Sequence, residues 1–143
     1  MQFEDDELDN SRPLDVHKWS EYPEVNQAVN HIYSEFVALD KIKDDDDEKF
    51  KKHLKVVILD LYVCYLSDPV KFIGYPRNNN KLENDRYNQL FINVRQLRKV
   101  VDWLDELGYL VKWTPTPGKR GRQSRMRATL ELNRPGIVGD SKL

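Results

Sequence analysis

The residues of this 143-residue chain whose types and spacing could do chemistry are two groups of cations: Arg95, Arg98 and Lys99, and then Lys119, Arg120, Arg122, Arg125 and Arg127. The chemistry they suit is recognition of phosphate. The planar guanidinium fork matches phosphate oxygens and reaches guanine edges in a groove. The second group places five cations in nine residues, and no acid falls between Lys112 and Thr129. Gly118 and Gly121 let that backbone turn tightly or approach a ligand. A merely solvated charged loop is the rival reading. It is weakened because Arg125 and Arg127 alternate onto one strand face, where their charges would concentrate.

Other chemistries find no seat. His17, His31 and His53 are far apart and form no ligand pair, and Cys64 is the sole cysteine, which excludes an intramolecular disulfide. Cys64 lies in an apolar run and reads as an inert buried thiol. No phosphate-binding GxxxxGK[ST], no GxGxxG and no GxSxG is present. The five acids at positions 44 to 48 lack the spacing and glycine of a calcium loop and read as a loop that favours a helix start. The expectation is therefore no catalytic residue, no metal, no cofactor and no enzyme activity.

Net charge is −1, with 33% charged and 39% hydrophobic residues, a pI near 6.3 and a mean hydropathy of −0.74. This length and composition predict one folded domain with a heavily charged surface. The total conceals a split. Residues 1–69 hold eight cations against seventeen acids, a charge of −9, whereas residues 70–134 hold fourteen against six, a charge of +8. Such asymmetry points to a local nucleic-acid surface on a neutral molecule. No apolar stretch reaches the ~20 residues of a membrane span, and the acidic start lacks the pattern of a signal peptide. A reducing, cytoplasmic setting is expected. Ser141-Lys142-Leu143 matches the peroxisomal address, a three-letter signal read here as accident.

The elements that must position the cations follow from periodicity. Residues 1–13 read as a flexible acidic arm, 14–134 as a single domain and 135–143 as a tail. Val25, Ala28, Val29, Ile32, Tyr33, Phe36 and Val37 make one helical stripe from Pro23 to about residue 39, with Leu14, Val16 and Trp19 folding back on it. Phe50, Leu54, Val57, Ile58, Leu61, Tyr62 and Tyr65 make a second, and its other sides are apolar too, so it is central or part of an interface. Asp68-Pro69 stops it. A strand over 70–75, a surface loop over 76–81 and a short helix around 85–91 are predicted next. Asn93 then caps a helix with Val94, Leu97, Val101, Leu104 and Leu107 on its apolar side, closed by Gly108. Trp103 falls off that stripe and reads as an edge of the core or a dimer contact. Strands over 109–113 and 125–132 flank the basic loop, the second with Met126, Ala128, Leu130 and Leu132 facing inward.

Helix, strand, basic glycine-containing loop and strand, with residues 97–110 (LRKVVDWLDELGYL) as the clearest piece, resemble the winged helix-turn-helix family over roughly residues 48–132. A narrower likeness is to the winged helices of replication initiators and mobile-element proteins. The resemblance implies an α+β, mainly helical fold: a winged helix-turn-helix with an N-terminal helical extension and a C-terminal β-hairpin wing. It also implies that residues 93–102 enter the major groove of double-stranded DNA while residues 119–127 contact backbone or minor groove. Asn93, Arg95, Gln96, Arg98 and Lys99 would then meet the groove, and Lys119, Arg120, Arg122, Arg125 and Arg127 would hold phosphates. The implied role is transcription regulation or DNA replication.

The residues point the same way. With Val94, Leu97, Val101 and Leu104 inward, Arg95, Arg98, Lys99 and Asp102 share the outer face. Cations fill the first half of this helix and Asp102, Asp105 and Glu106 the second, the reverse of what the helix dipole favours by roughly 0.3–1 kcal/mol per charge. Local rules are broken most often at functional sites. Surface ion pairs, Arg98 with Asp102 and Lys99 with Glu106, are the plainer account. The alternative function is a protein-interaction module without nucleic-acid binding, using the helical half for a homodimer or protein partner. What separates the two is whether the helix and wing cations converge on one surface.

Overall fold

The computed structural model describes residues 22–42, 47–83, 85, 87, 88, 90–113, 124–133 and 137. The arm, the positions of Leu14, Val16 and Trp19, the basic loop at 114–123 and the terminal tripeptide lie outside the described residues. Among these residues four helices and three strands follow in the order α1 (Pro23–Ala38), α2 (Glu48–Ser67), β1 (Ile73–Tyr75), α3 (Asn79–Leu82), α4 (Val94–Glu106), β2 (Leu110–Trp113) and β3 (Ser124–Ala128). The class is α+β, mainly helical with one small antiparallel sheet.

Each long helix begins and ends for a chemical reason. Pro23 sits in the first turn of α1, where its missing N–H costs nothing. The Asp47 carboxylate accepts from Phe50 N at 3.0 Å and so caps α2, while Asp47 N donates to the Tyr33 hydroxyl at 2.8 Å. The Asn93 side chain accepts from Gln96 N at 3.1 Å to cap α4. Beyond α4, Tyr109 N donates to Leu104 O at 2.9 Å and Gly108 N to Asp105 O at 3.0 Å, the paired bonds of a Schellman exit. Gly108 has φ +81 there. Because nothing lies within 4 Å of a Cβ built at Gly108, Gly108→Ala meets no clash, only the backbone cost of that conformation. Urea titration should show a loss of about 1–2 kcal/mol, and an unchanged midpoint would overturn the assignment of this turn.

The core lies between α1, α2 and α4 and continues onto the sheet. Phe36, Leu54, Ile58, Leu97, Leu104 and Met126 are all fully buried. Phe36, Phe50 and Trp103 form one aromatic group, with Trp103 5.3 Å from each of the two phenyl centroids; the edge-of-core reading of Trp103 holds. Buried phenols tie distant elements to carboxylates. The Tyr62 hydroxyl donates to Glu24 at 2.6 Å, Tyr109 donates to Glu35, and Tyr87 donates to Asp60 with both residues fully buried. The last link fixes the segment ahead of α4, since leaving a buried carboxylate unbonded is costly.

Four expectations need correction. The helix predicted around 85–91 is absent from its described residues. The Asp85 carboxylate accepts from Tyr87 N at 3.0 Å and turns follow at Asn88 and Leu90, because an Asx turn competes with helix geometry. A short helix forms earlier instead, α3, in the predicted loop at 76–81; the Asn78 side chain caps it by accepting from Lys81 N at 2.9 Å. The strand at 70–75 narrows to Ile73–Tyr75. The strand expected to reach 132 ends at Ala128. Asn133 closes a turn onto Leu130 O at 3.1 Å, which leaves Leu130 78% exposed while Leu132 is buried.

The sheet order is β1-β3-β2, both pairings antiparallel. Lys112 and Met126 are cross-strand partners, and Lys112 reaches Asp102 of α4, so this side of the sheet faces the helices. Arg125 and Arg127 alternate onto the other side.

Candidate nucleic-acid interface

The start of α4 is held by side chains from three places. Val94 N donates to the Asn79 side chain at 2.8 Å, which joins α3 to α4. Gln96 N donates to Asn93, and Gln96 Oε1 accepts from Ile92 N at 2.8 Å. The bonds from Val94 N and Gln96 N satisfy N–H groups that a helix start otherwise leaves open, and the bond from Ile92 N ties the residue before the cap to the first turn. Asn93 and Gln96, expected to meet DNA, are thus committed through these atoms to building the helix end.

Arg95, Arg98 and Lys99 are exposed, whereas Leu97, Val100, Val101 and Leu104 are buried. The predicted division of α4 into two faces therefore holds, with Val100 added to the buried side and Val94 only half-buried. A surface groove of about 760 Å³ runs along this face, lined by the cations Arg95, Arg98 and Lys99, by the acids Asp102 and Glu106, and by Trp103 among others.

The ion pairs are not the ones that sequence spacing suggests. Asp102 takes Lys112 Nζ at 2.6 Å, and Glu106 takes Lys41 Nζ at 2.7 Å. Neither Arg95 nor Arg98 forms an ion pair among the described residues. Lys99 lies over the Trp103 ring at 4.7 Å and the Phe50 ring at 5.2 Å, while Lys41 lies over Trp103 at 5.1 Å. Such contacts are worth roughly 0.5–1 kcal/mol at exposed sites, so they orient the Lys99 stem while its charge remains at the surface.

The strand cations go elsewhere. Arg125 is only 4% exposed and its guanidinium stacks 5.1 Å from the Trp113 centroid, its cross-strand neighbour. Arg127 stacks at 4.4 Å on Phe72 and donates to Val70 O at 3.1 Å. They do share a strand face as predicted, but that face is turned away from α4, and the burial of Arg125 withdraws it from a surface. Lys119, Arg120 and Arg122 lie outside the described residues.

Two buried titratable groups border the site. Tyr75 has its phenol pushed up to about 12 by burial and by the Asp102 and Asp105 charges, against Arg98 and a hydrogen bond with Ser124 that pull it down. His53 stacks on Phe91 at 4.7 Å. Burial, then Lys49, Lys99 and Lys52, hold its pKa below the usual value, with Asp47 opposing. A histidine with a lowered folded-state pKa takes up its proton more readily when unfolded. It therefore lends stability above pH 6.5 that is lost as pH falls towards the folded value. The urea midpoint should drop between about pH 7.5 and 5.5, and less so in His53→Gln; equal drops in the two proteins would show that His53 does not contribute.

Sequence reasoning missed Asn79, Lys41, Lys112 and Ile92. Lys112 could have been paired with Asp102 only by knowing that β2 folds back along α4, and Lys41 only by knowing how α1 packs. No family model, curated protein or solved structure matches the chain. Among the described residues no group of three or more His, Cys, Asp or Glu side chains could hold a metal, and no helix is long and apolar enough to cross a membrane.

Proposed function

We propose that the chain is a winged-helix protein that binds double-stranded DNA through α4, acting in transcription regulation or DNA replication and not as an enzyme. The observation that carries this reading is the uncompensated face of α4: Arg95, Arg98 and Lys99 are exposed while the nearby acids Asp102 and Glu106 are taken by Lys112 and Lys41. The stiffened start of α4 supports it, because a reading helix presents its first residues to base edges and needs a fixed end. So does the succession of α3, α4 and an antiparallel strand pair joined by the basic segment. In this reading Lys119, Arg120 and Arg122 hold phosphates, and Arg125 and Arg127 brace the sheet through Trp113 and Phe72.

The protein-interaction module stands as a second reading, favoured by one observation: the cations of β3 face away from those of α4. Anisotropy titration of a random duplex between about 50 and 200 mM salt separates the two. Six phosphate contacts give a slope of log affinity against log salt of about −5. Absence of binding at the lowest salt selects the interaction module.

A further inference from the structure

Ile92 is 77% exposed and stands in the chain directly ahead of Asn93 and Val94, which line the α4 groove. An apolar residue just before a helix cap ordinarily folds onto the fourth helical residue and closes the entrance as a hydrophobic staple. Here that residue is Leu97, which is fully buried in the core, and Ile92 does not cover it. The backbone of Ile92 is nonetheless fixed, since its N–H donates to Gln96 Oε1 at 2.8 Å. A large apolar side chain is thus held outward on a rigid mount, with the half-buried Val94 beside it and the exposed Arg95 and Arg98 on the adjoining turn.

We infer that Ile92 is a specificity-determining residue that packs against the C5-methyl group of a thymine in the major groove. This rests on the DNA-binding reading. The charge pattern chooses the occupant: an apolar contact flanked by cations fits a methyl group set between phosphates, and in B-DNA the thymine methyl is the apolar feature of the major groove. Uracil presents no such methyl, so the same contact separates DNA from RNA of equal sequence.

The test starts from duplexes enriched for tight binding from a random library, then resynthesised with deoxyuridine in place of thymidine. Wild-type protein should bind the thymine pool about fourfold more tightly for each methyl contacted. Ile92→Ala should bind both pools alike, with far-ultraviolet circular dichroism unchanged because the side chain is exposed, and Ile92→Val should keep most of the difference. Equal affinity of wild-type protein for the two pools, with the salt dependence intact, overturns the thymine contact and leaves DNA binding standing. A thymine preference that survives in Ile92→Ala assigns the methyl contact to another residue and likewise overturns it. Absence of salt-dependent binding to either pool overturns both.

Discussion

Replacing Arg95 and Arg98 together with alanine is expected to weaken duplex binding roughly tenfold to a hundredfold at physiological salt and to flatten the salt slope by about 2. Each side chain projects from α4 without an ion pair among the described residues, so its whole charge is available to a phosphate or a guanine edge. The size of the loss distinguishes these roles. A phosphate contact removes about one unit of slope and weakens all sequences alike, whereas a base contact costs about 1–3 kcal/mol and relaxes preference at one position. Lys55→Ala serves as the control. It removes one positive charge, as each arginine substitution does, from the groove between α1 and α2, where Lys55 lies with Asn26 and Asn30, and should leave the slope unchanged. If the double variant keeps the wild-type slope, α4 does not face phosphate and the proposed surface is wrong.

Phe36→Ala should be the most damaging single change to stability, about 3–5 kcal/mol. Phe36 is fully buried and stands where three helices meet, with Phe50 of α2 at 5.9 Å and Trp103 of α4 at 5.3 Å. Removing its ring leaves a void that those two rings, held by their own helices, cannot close. Calorimetry should show a fall in Tm of about 10–20 °C for a chain of this size, and a urea midpoint shift without a change in m would place the effect in the native state. Leu39→Ala, one turn on and 54% exposed, should shift the midpoint little. A Phe36→Ala loss below about 1 kcal/mol would mean that the aromatic group does not close the core as described.

What was legible in the sequence was local. The stripes of α1, α2 and α4 repeat every three to four residues, and the Asn93 cap and Gly108 exit are written in single residue types whose chemistry acts over one turn. The exposed cations of α4 follow from the same repeat. What was not legible depends on neighbours brought from far away. The sign of the α4 face turns on where Asp102 and Glu106 find partners. Spacing along one helix offered Arg98 and Lys99, whereas packing supplies Lys112 from β2 and Lys41 from the turn after α1. Arg125 is charged and alternates with apolar residues, so it looked solvent-facing, but β3 runs between two other strands and Trp113 covers the guanidinium. A four-residue helix such as α3 is too short to show a period, and only Asn78 ahead of it marked a start.

The strand order carries a consequence for how the chain acquires its shape. Among the described residues β1 pairs with β3, Ile73 opposite Met126, so its partner leaves the ribosome only after α3, α4 and β2. The α1 and α2 pair can dock early, because its contacts lie close in the chain. Until residues 124–128 emerge, however, β1 and β2 both present open hydrogen-bonding edges, and loop closure over this separation precedes any reward from pairing. The nascent protein is therefore exposed to edge-to-edge association late in synthesis, and a chain that stops before Ser124 lacks the strand that joins β1 to β2.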